Sequence, residues 1–384
     1  MSLGVYIQVP FCQSKCTYCN FHTGVVVPER YQPYANAVRR EISETREFAG
    51  ETVDTIYVGG GTPSLLDPAA LAEMTEALAA KYRVTDPEVT LEADPETIDA
   101  QKAAAWRAAG FNRISMGAQS FHDNELRAAG RMHRRADIFS AVEALRSAGF
   151  ENVSMDLIAG LPHQTRESWE SSATAMLALR PEHISIYLLE IDEGSRLGRE
   201  SLAGGVRYGA AAIPSDDAQA EFYESACARL AAAGYEHYEI SNWALLGRRS
   251  RHNLKYWRRE PYLGFGAGAH SFDGATRWAN AHDSARYVAM IKKGISPREQ
   301  IKPVTAAQAF DEEIFLGLRQ LDGIDLGAIA AQFNGEFSSR AASLNEALKR
   351  LQAEGLIETE GARVRLAPAR LAVSNEVFVE LLGN

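Results

Sequence analysis

The chain has 384 residues, of which 46% are hydrophobic and 23% charged, with 40 Lys and Arg against 50 Asp and Glu for a net charge of −10. This is the composition of a folded globular protein, long enough for one large α/β domain plus an appendage. It argues against non-specific nucleic-acid binding, which runs on positive charge, and no run of about 18 apolar residues is present to span a bilayer.

Short apolar or β-branched runs alternate with longer helical patterns. The predicted strands are VYIQV (5–9), TIYVG (55–59), VTLEA (89–93), RISMG (113–117), VSMDLI (153–158) and HISIYLL (183–189). Between them, residues 29–48, 67–81, 96–109, 135–148 and 167–179 read as helices, and a further helix over about 216–232 follows the sixth strand. Pro or Asp stands near several helix starts and Gly near several ends. Six β-then-α units in succession predict a parallel sheet with right-handed crossovers, an α/β partial barrel too short for the full eight-fold closure. Chemistry in such sheets gathers beyond the carboxyl ends of the strands. Gly59, Gly60, Gly61 and Thr62 follow the second strand, Glu92 closes the third, Gln119 follows the fourth and Asp156 lies late in the fifth.

After about residue 300 the pattern changes to helices followed by a β-hairpin turning at Glu360-Gly361, which suggests a small winged-helix-like α+β domain. Residues 303–384 carry 7 Lys and Arg against 12 Asp and Glu. A wing that reads DNA should be basic, so a packing or partner role is expected.

The cysteines carry the strongest chemical signal. Cys12, Cys16 and Cys19 form C-x3-C-x2-C just past the first strand, while Cys227 lies in a predicted helix and reads as a core residue. The N-terminus lacks the basic-then-apolar pattern of a signal peptide, so a reducing, cytoplasmic location is expected, where clustered thiols bind metal rather than pair as disulfides. His22, three residues after Cys19, offers a fourth ligand for a zinc tetrahedron. All these candidates sit on one loop at the barrel mouth, whereas a structural zinc draws ligands from two separated halves of a domain. A four-iron cluster held by three thiolates is the other reading, with one iron left open.

The C-x3-C-x2-C spacing, with Tyr18 before the last cysteine, resembles the signature of the radical S-adenosylmethionine (SAM) superfamily. The stretches VYIQVPFCQSKCTYCNF, IYVGGGTPSLL, LEADPET, ISMGAQSF, MDLIAGLPHQT and HNLKYW…YLGFGAGAH resemble its HemN-type branch over essentially the whole chain. That branch contains oxygen-independent coproporphyrinogen III oxidases and HemW-type haem chaperones. The resemblance implies a partial (β/α)6 TIM-like radical SAM barrel over residues 1–300 and a HemN-type C-terminal domain over 301–384. It implies a [4Fe–4S] cluster on Cys12, Cys16 and Cys19, with SAM chelating the open iron and cleaved to a 5′-deoxyadenosyl radical when the cluster is reduced. It places Tyr6, Tyr18, Gly60, Gly61, Thr62, Glu92, Gln119, Arg131 and Asp156 at SAM-contacting positions.

Within the branch, the oxidases resemble C-x3-C-x2-C-x-C, and here Phe21 takes the place of the last cysteine. The oxidases also carry an N-terminal extension ahead of the first strand, which here begins by about residue 5. Both departures favour the haem chaperones, as does HNLKYW (252–257), which fits their H-N-x-x-Y-W motif. His252 is the expected haem ligand there, beside the flat apolar surface of Tyr256 and Trp257, and His270 is the alternative. The expected function is a chaperone that binds haem, the cluster and SAM; the alternative is oxidative decarboxylation of porphyrinogen propionates, and a zinc-bearing structural protein comes third. Expected partners are haem, haem-accepting proteins and an electron donor for the cluster, with no nucleic acid, weak membrane association, and a monomeric or homodimeric state.

Overall fold

The computed structural model describes residues 2–382. β1 (Leu3–Val9) runs into a short parallel pair, β2 (Phe11–Cys12) and β3 (Gly24–Val25), which brackets the cysteine loop. β4 (Thr52–Gly60), β5 (Arg83–Ala93), β6 (Arg113–Gln119), β7 (Val153–Ala159) and β8 (His183–Leu188) follow, separated by helices. β1 and these five strands pair in parallel in chain order, the six-unit partial barrel that the alternation implies. Their core positions are apolar and fully buried: Val5, Ile7 and Val9 in β1, Val58 in β4 and Leu91 in β5.

Helix boundaries follow local capping. Asp67 accepts from the Ala69 amide ahead of the helix Pro68–Lys81, with proline in the first turn where its missing N–H costs nothing. Thr165 and Ser168 form a capping box at the start of Arg166–Leu179. The helix expected from residue 96 begins only at Ala100. Pro95 opens a 3-10 turn through Thr97, and Asp99 then caps the helix proper by accepting from the Lys102 amide.

The sheet extends beyond the six strands. β9 (Glu236–Glu239) and β10 (Asn242–Ala244) add antiparallel to β8. β11 (Tyr262–Phe265) pairs in parallel with β1 and carries β12 (His270–Phe272), β13 (Thr276–Asn280) and β14 (Arg298–Pro303) in antiparallel sequence. The result is one twelve-stranded sheet. The YLGFGAGAH segment is therefore sheet as well as packing.

The barrel's lower end, at the N-terminal ends of the strands, is closed by the helix Arg251–Trp257. Glu88 of β5 accepts from the backbone amides of Arg251 and His252. Lys255, its side chain 4% exposed, reaches Asp54 at 2.9 Å and Glu260 at 3.0 Å. A buried ammonium needs such partners, since unpaired it would cost several kcal/mol.

Beyond the sheet come the helix Ala306–Leu318, β15 (Ile324–Asp325), helices Leu326–Gln332 and Asn334–Ala353, and the hairpin of β16 (Ile357–Glu360) and β17 (Arg363–Leu366). The hairpin turns at Gly361, φ 60°, where a side chain would be strained. This winged-helix-like unit joins the barrel through Leu321 N to Tyr238 O (3.1 Å), Ile240 N to Arg319 O (3.1 Å) and Arg259 between Glu312 and Glu313. Among the described residues no helix is long and apolar enough to cross a membrane.

Glu41 ties the added edge strands to the barrel. Its buried carboxylate accepts from the Gly266 amide (2.9 Å), Asn280 Nδ2 (2.6 Å) and Tyr287 Oη (2.5 Å). Burial lifts this carboxyl from an ordinary 4.5 to about 7, against those hydrogen bonds, which hold it down. The folded chain therefore keeps a proton that the unfolded chain releases, and the group's contribution to stability falls as pH rises from about 4.5 to 7. Glu41→Ala strands three buried donors and should cost about 3 kcal/mol in urea unfolding, while Glu41→Gln should flatten that part of the pH–stability profile. A loss in Glu41→Ala under about 0.5 kcal/mol, the range of ordinary surface changes, would contradict this role.

Candidate functional site

The cysteine loop lies over the upper end of the barrel and is held from three sides. β2–β3 pairing closes its base. The Thr17 amide donates to Ala129 O (2.9 Å), and the Leu197 amide donates to Thr17 O (2.7 Å). Arg196 donates to the Lys15 carbonyl. Cys12, Cys16 and Cys19 are unpaired and half-buried, and burial raises the Cys12 and Cys19 thiols. Cys227 is half-buried against the core rather than fully enclosed.

The turn after β4 is pressed against this loop. Gly61 N donates to Val9 O (2.8 Å), Thr62 N to Phe11 O (2.6 Å) and Gly60 N to Glu92 Oε2 (2.8 Å). Gly60 has φ 116°, open only to glycine, and a Cβ on Gly61 would stand 3.0 Å from Cys12 Sγ. With its three N–H groups spent internally, the turn has no donor for an anion. Of its carbonyls, that of Thr62 accepts from the Leu65 amide (3.0 Å), which leaves those of Gly60 and Gly61 as candidates for an ammonium.

Asp94, just past β5, joins the parts. It accepts from Thr62 Oγ1 at 3.0 Å and forms an ion pair with Arg131, whose side chain is 8% exposed. Arg131 also donates to Gly117 O (2.9 Å) and to Cys16 Sγ (3.5 Å). Asp94 was not among the expected site residues. Glu92 and Asp94 are two apart at a strand end and so share a face, a period-two signal that could have found it.

Inside the barrel mouth, Tyr57 Oη donates to Glu92 Oε1 (2.7 Å). Burial pushes the Glu92 carboxyl up to about 7 and that of Asp156 up to about 6. Asp156 Oδ1 and Gln119 Oε1 are buried without partners, and Gln119 holds φ 64°. Unsatisfied buried acceptors and a strained non-glycine backbone are costly, and such features collect where a ligand completes the site. Tyr6 lines the same interior, its ring stacked on Tyr57 at 5.9 Å. Tyr18 packs instead into the apolar cluster around Leu161, Leu189 and Leu197.

His252 lies away from the cysteine loop. It is 1% exposed in the lower end of the barrel. Its Nδ1 bonds Thr55 Oγ1 (2.9 Å) and its Nε2 bonds Tyr256 Oη (2.8 Å), leaving no nitrogen for iron. Burial, then Lys255 and Arg113, pushes its pKa down to about 3. Thr55 lies five residues before Gly60, about 16 Å of strand. The HNLKYW motif is thus the plug of the lower end; Trp257 lies under the Arg319 guanidinium at 4.4 Å.

The residues fit a cluster better than a single ion. Among the described residues no three His, Cys, Asp or Glu side chains converge to hold one metal ion. Zinc needs that convergence, whereas a four-iron cluster takes each thiolate on a different iron. The orphaned acceptors and the carbonyl-lined glycine turn add a place for a ligand with ammonium and hydroxyl groups beside the three thiols.

The comparisons with known proteins agree with this geometry. The profile of the radical SAM superfamily matches residues 6–176, and that of the HemN C-terminal domain matches residues 304–369. A protein named heme chaperone HemW from Bacillus subtilis (strain 168) is 35% identical, with 98% of each chain covered. One of the same name from Mycobacterium tuberculosis (strain H37Rv) is 34% identical over 99% of this chain and 95% of its own. The solved structure of the Escherichia coli coproporphyrinogen III oxidase HemN, a radical SAM enzyme, superposes with a TM-score of 0.85 at 23% identity, covering 99% of this chain and 90% of that one. At that identity it shows the fold alone.

Asp94→Asn weakens the pairing to Arg131 without changing the cysteines. After anaerobic reconstitution it should keep its iron and sulfide content but need at least tenfold more SAM to change the EPR spectrum of the reduced cluster. An unchanged SAM response would remove Asp94 as the junction of the site.

Proposed function

Because the chain belongs to the HemW family of radical SAM proteins, we propose that it is a haem chaperone that binds haem, a [4Fe–4S] cluster and SAM and delivers haem to acceptor proteins. The match to a haem chaperone over 98% of both chains carries this reading. Phe21 supports it, standing where the resemblance to the oxidases calls for a further cysteine.

Cys12, Cys16 and Cys19 would hold the cluster, leaving one iron for SAM. When bound, the cluster supplies a single electron to the SAM sulfonium. The surrounding residues bind and orient. Gly60 and Gly61 would offer carbonyls to the SAM ammonium, Thr62 ties the turn to Asp94, and Glu92 fixes it by holding Gly60 N and Tyr57. Asp156 Oδ1 and Gln119 Oε1 accept from the ribose hydroxyls and the adenine amine. Arg131, neutralised on one side by Asp94, turns its remaining charge toward the Cys16 thiolate. Tyr6 supplies an apolar wall, and Tyr18 anchors the loop.

The partners that follow are haem, haem-accepting proteins and an electron donor for the cluster, in the cytoplasm, with weak membrane association and a monomeric or homodimeric chain. Porphyrinogen oxidation is the competing activity. The test pairs two assays on anaerobically reconstituted protein: transfer of bound haem to a haem-free b-type acceptor, and turnover of coproporphyrinogen III with SAM and a reductant. Haem transfer with no protoporphyrinogen above the SAM-free control is expected. Sustained protoporphyrinogen formation without haem transfer would overturn the chaperone reading.

A further inference from the structure

His252 is buried with both nitrogens engaged, and other imidazoles stand at the barrel mouth. Three histidines gather there although they are far apart in sequence: His22 just past the cysteine loop, His270 at the start of β12 and His282 after β13. The rings of His22 and His282 meet edge to face at 4.7 Å between centroids, and His270 stands 6.5 Å from His282. Gly268 beneath them, φ 73°, makes room, since a Cβ there would come within 3.3 Å of His282 Nδ1 and 3.5 Å of His22 Cδ2.

His22 has the arrangement of a metal-binding imidazole. Its Nε2 lies 2.9 Å from the His282 carbonyl oxygen. A carbonyl only accepts, so Nε2 carries the hydrogen and Nδ1 keeps its lone pair. A ligating histidine characteristically donates its other N–H to a backbone carbonyl, which fixes the tautomer and ring plane and raises ligand basicity. Among the described residues no hydrogen bond engages Nδ1, and the ring is exposed.

The surface beside it is unusually apolar for a chain of charge −10. Phe21 is 68% exposed and Val25 60% exposed, on the same short loop. Lys15 lies 3.4 Å from the Phe21 carbonyl and has no carboxylate partner among the described residues. A flat apolar surface, a free imidazole nitrogen and an uncommitted cation are what a porphyrin ring, its iron and a propionate need.

We propose that His22 is the axial ligand of the haem iron, with the porphyrin lying over Phe21 and Val25 at the barrel mouth and a propionate facing Lys15. This rests on the haem-chaperone reading and supplies its binding site. It places the haem iron on the loop that carries the cluster, three residues and at most about 10 Å of chain beyond Cys19.

The test is titration of the full-length reconstituted protein with haemin, followed by the Soret band and ferric-haem EPR, with iron and sulfide counted in every variant. His22→Ala should bind haem at least tenfold more weakly and lose the histidine-ligated spectrum, whereas His252→Gln should retain both. His22→Tyr should shift the ferric spectrum to that of a tyrosinate-bound haem. Binding of His22→Ala within twofold of wild type, or a spectrum unmoved in His22→Tyr, would overturn the assignment and leave the chaperone reading intact. Wild type that takes up no haem would sink both.

Discussion

The Asp94 carboxylate is the point on which the upper end of the barrel turns. It accepts from Thr62 on the glycine turn and pairs with Arg131, which reaches Cys16. One side chain at the end of one strand thereby sets the spacing between a loop of three thiols and a turn of three glycines. Charge requires this as much as geometry does. Three cysteines and the acids Glu92, Asp94 and Asp156 crowd one mouth, with the charges of Arg131 and Arg113 facing them. Without a fixed partner a guanidinium so deeply buried would be costly, and without the guanidinium the acids would repel each other.

The two ends of the barrel divide the labour. The lower end is closed: Glu88 receives the plugging helix, Lys255 is paired twice, and His252 has both nitrogens satisfied. The upper end is open, with buried acceptors on Asp156 and Gln119 lacking partners. Two carboxyls there sit near neutrality because burial opposes their charge. Unpartnered acceptors beside carboxyls of raised pKa at the open end point to where ligands enter. The edge strands β11 to β14, fastened through Glu41, bring His270 and His282 to that same end, beside a loop more than 240 residues earlier in the chain.

Much of this was legible in the sequence, for identifiable reasons. The six parallel strands are buried on both faces and so read as continuous apolar runs, and their helices carry capping residues such as Asp67 and Thr165. The cysteine spacing and the polar residues at strand ends are local signals, and the structure gathers Cys16, Thr62, Glu92 and Arg131 at one mouth. The misses are of another kind. Strands β9 to β14 are three to six residues long, too short for a periodicity to announce them, and they join the barrel through two pairings remote in sequence, β10 with β8 and β11 with β1. Asp94 stands just past the end of β5, where a carboxylate reads as an ordinary turn residue. His252 is hard to read because an imidazole among aromatics looks alike in sequence whether it awaits a ligand or, as here, stacks against Tyr57 and Tyr6 in a core. The pairing of His22 with His282 depends on a contact across 260 residues and left no trace in the pattern.

The central claim is that the three-cysteine loop builds a cluster with one open iron at the mouth of the barrel. Mössbauer spectroscopy of protein reconstituted with iron-57 reads each iron site separately, before and after SAM. The account predicts a four-iron cluster in which SAM changes the isomer shift of one iron and leaves the other three as they were. Four irons that ignore SAM, or a chain that takes up a single zinc and no cluster, would contradict it.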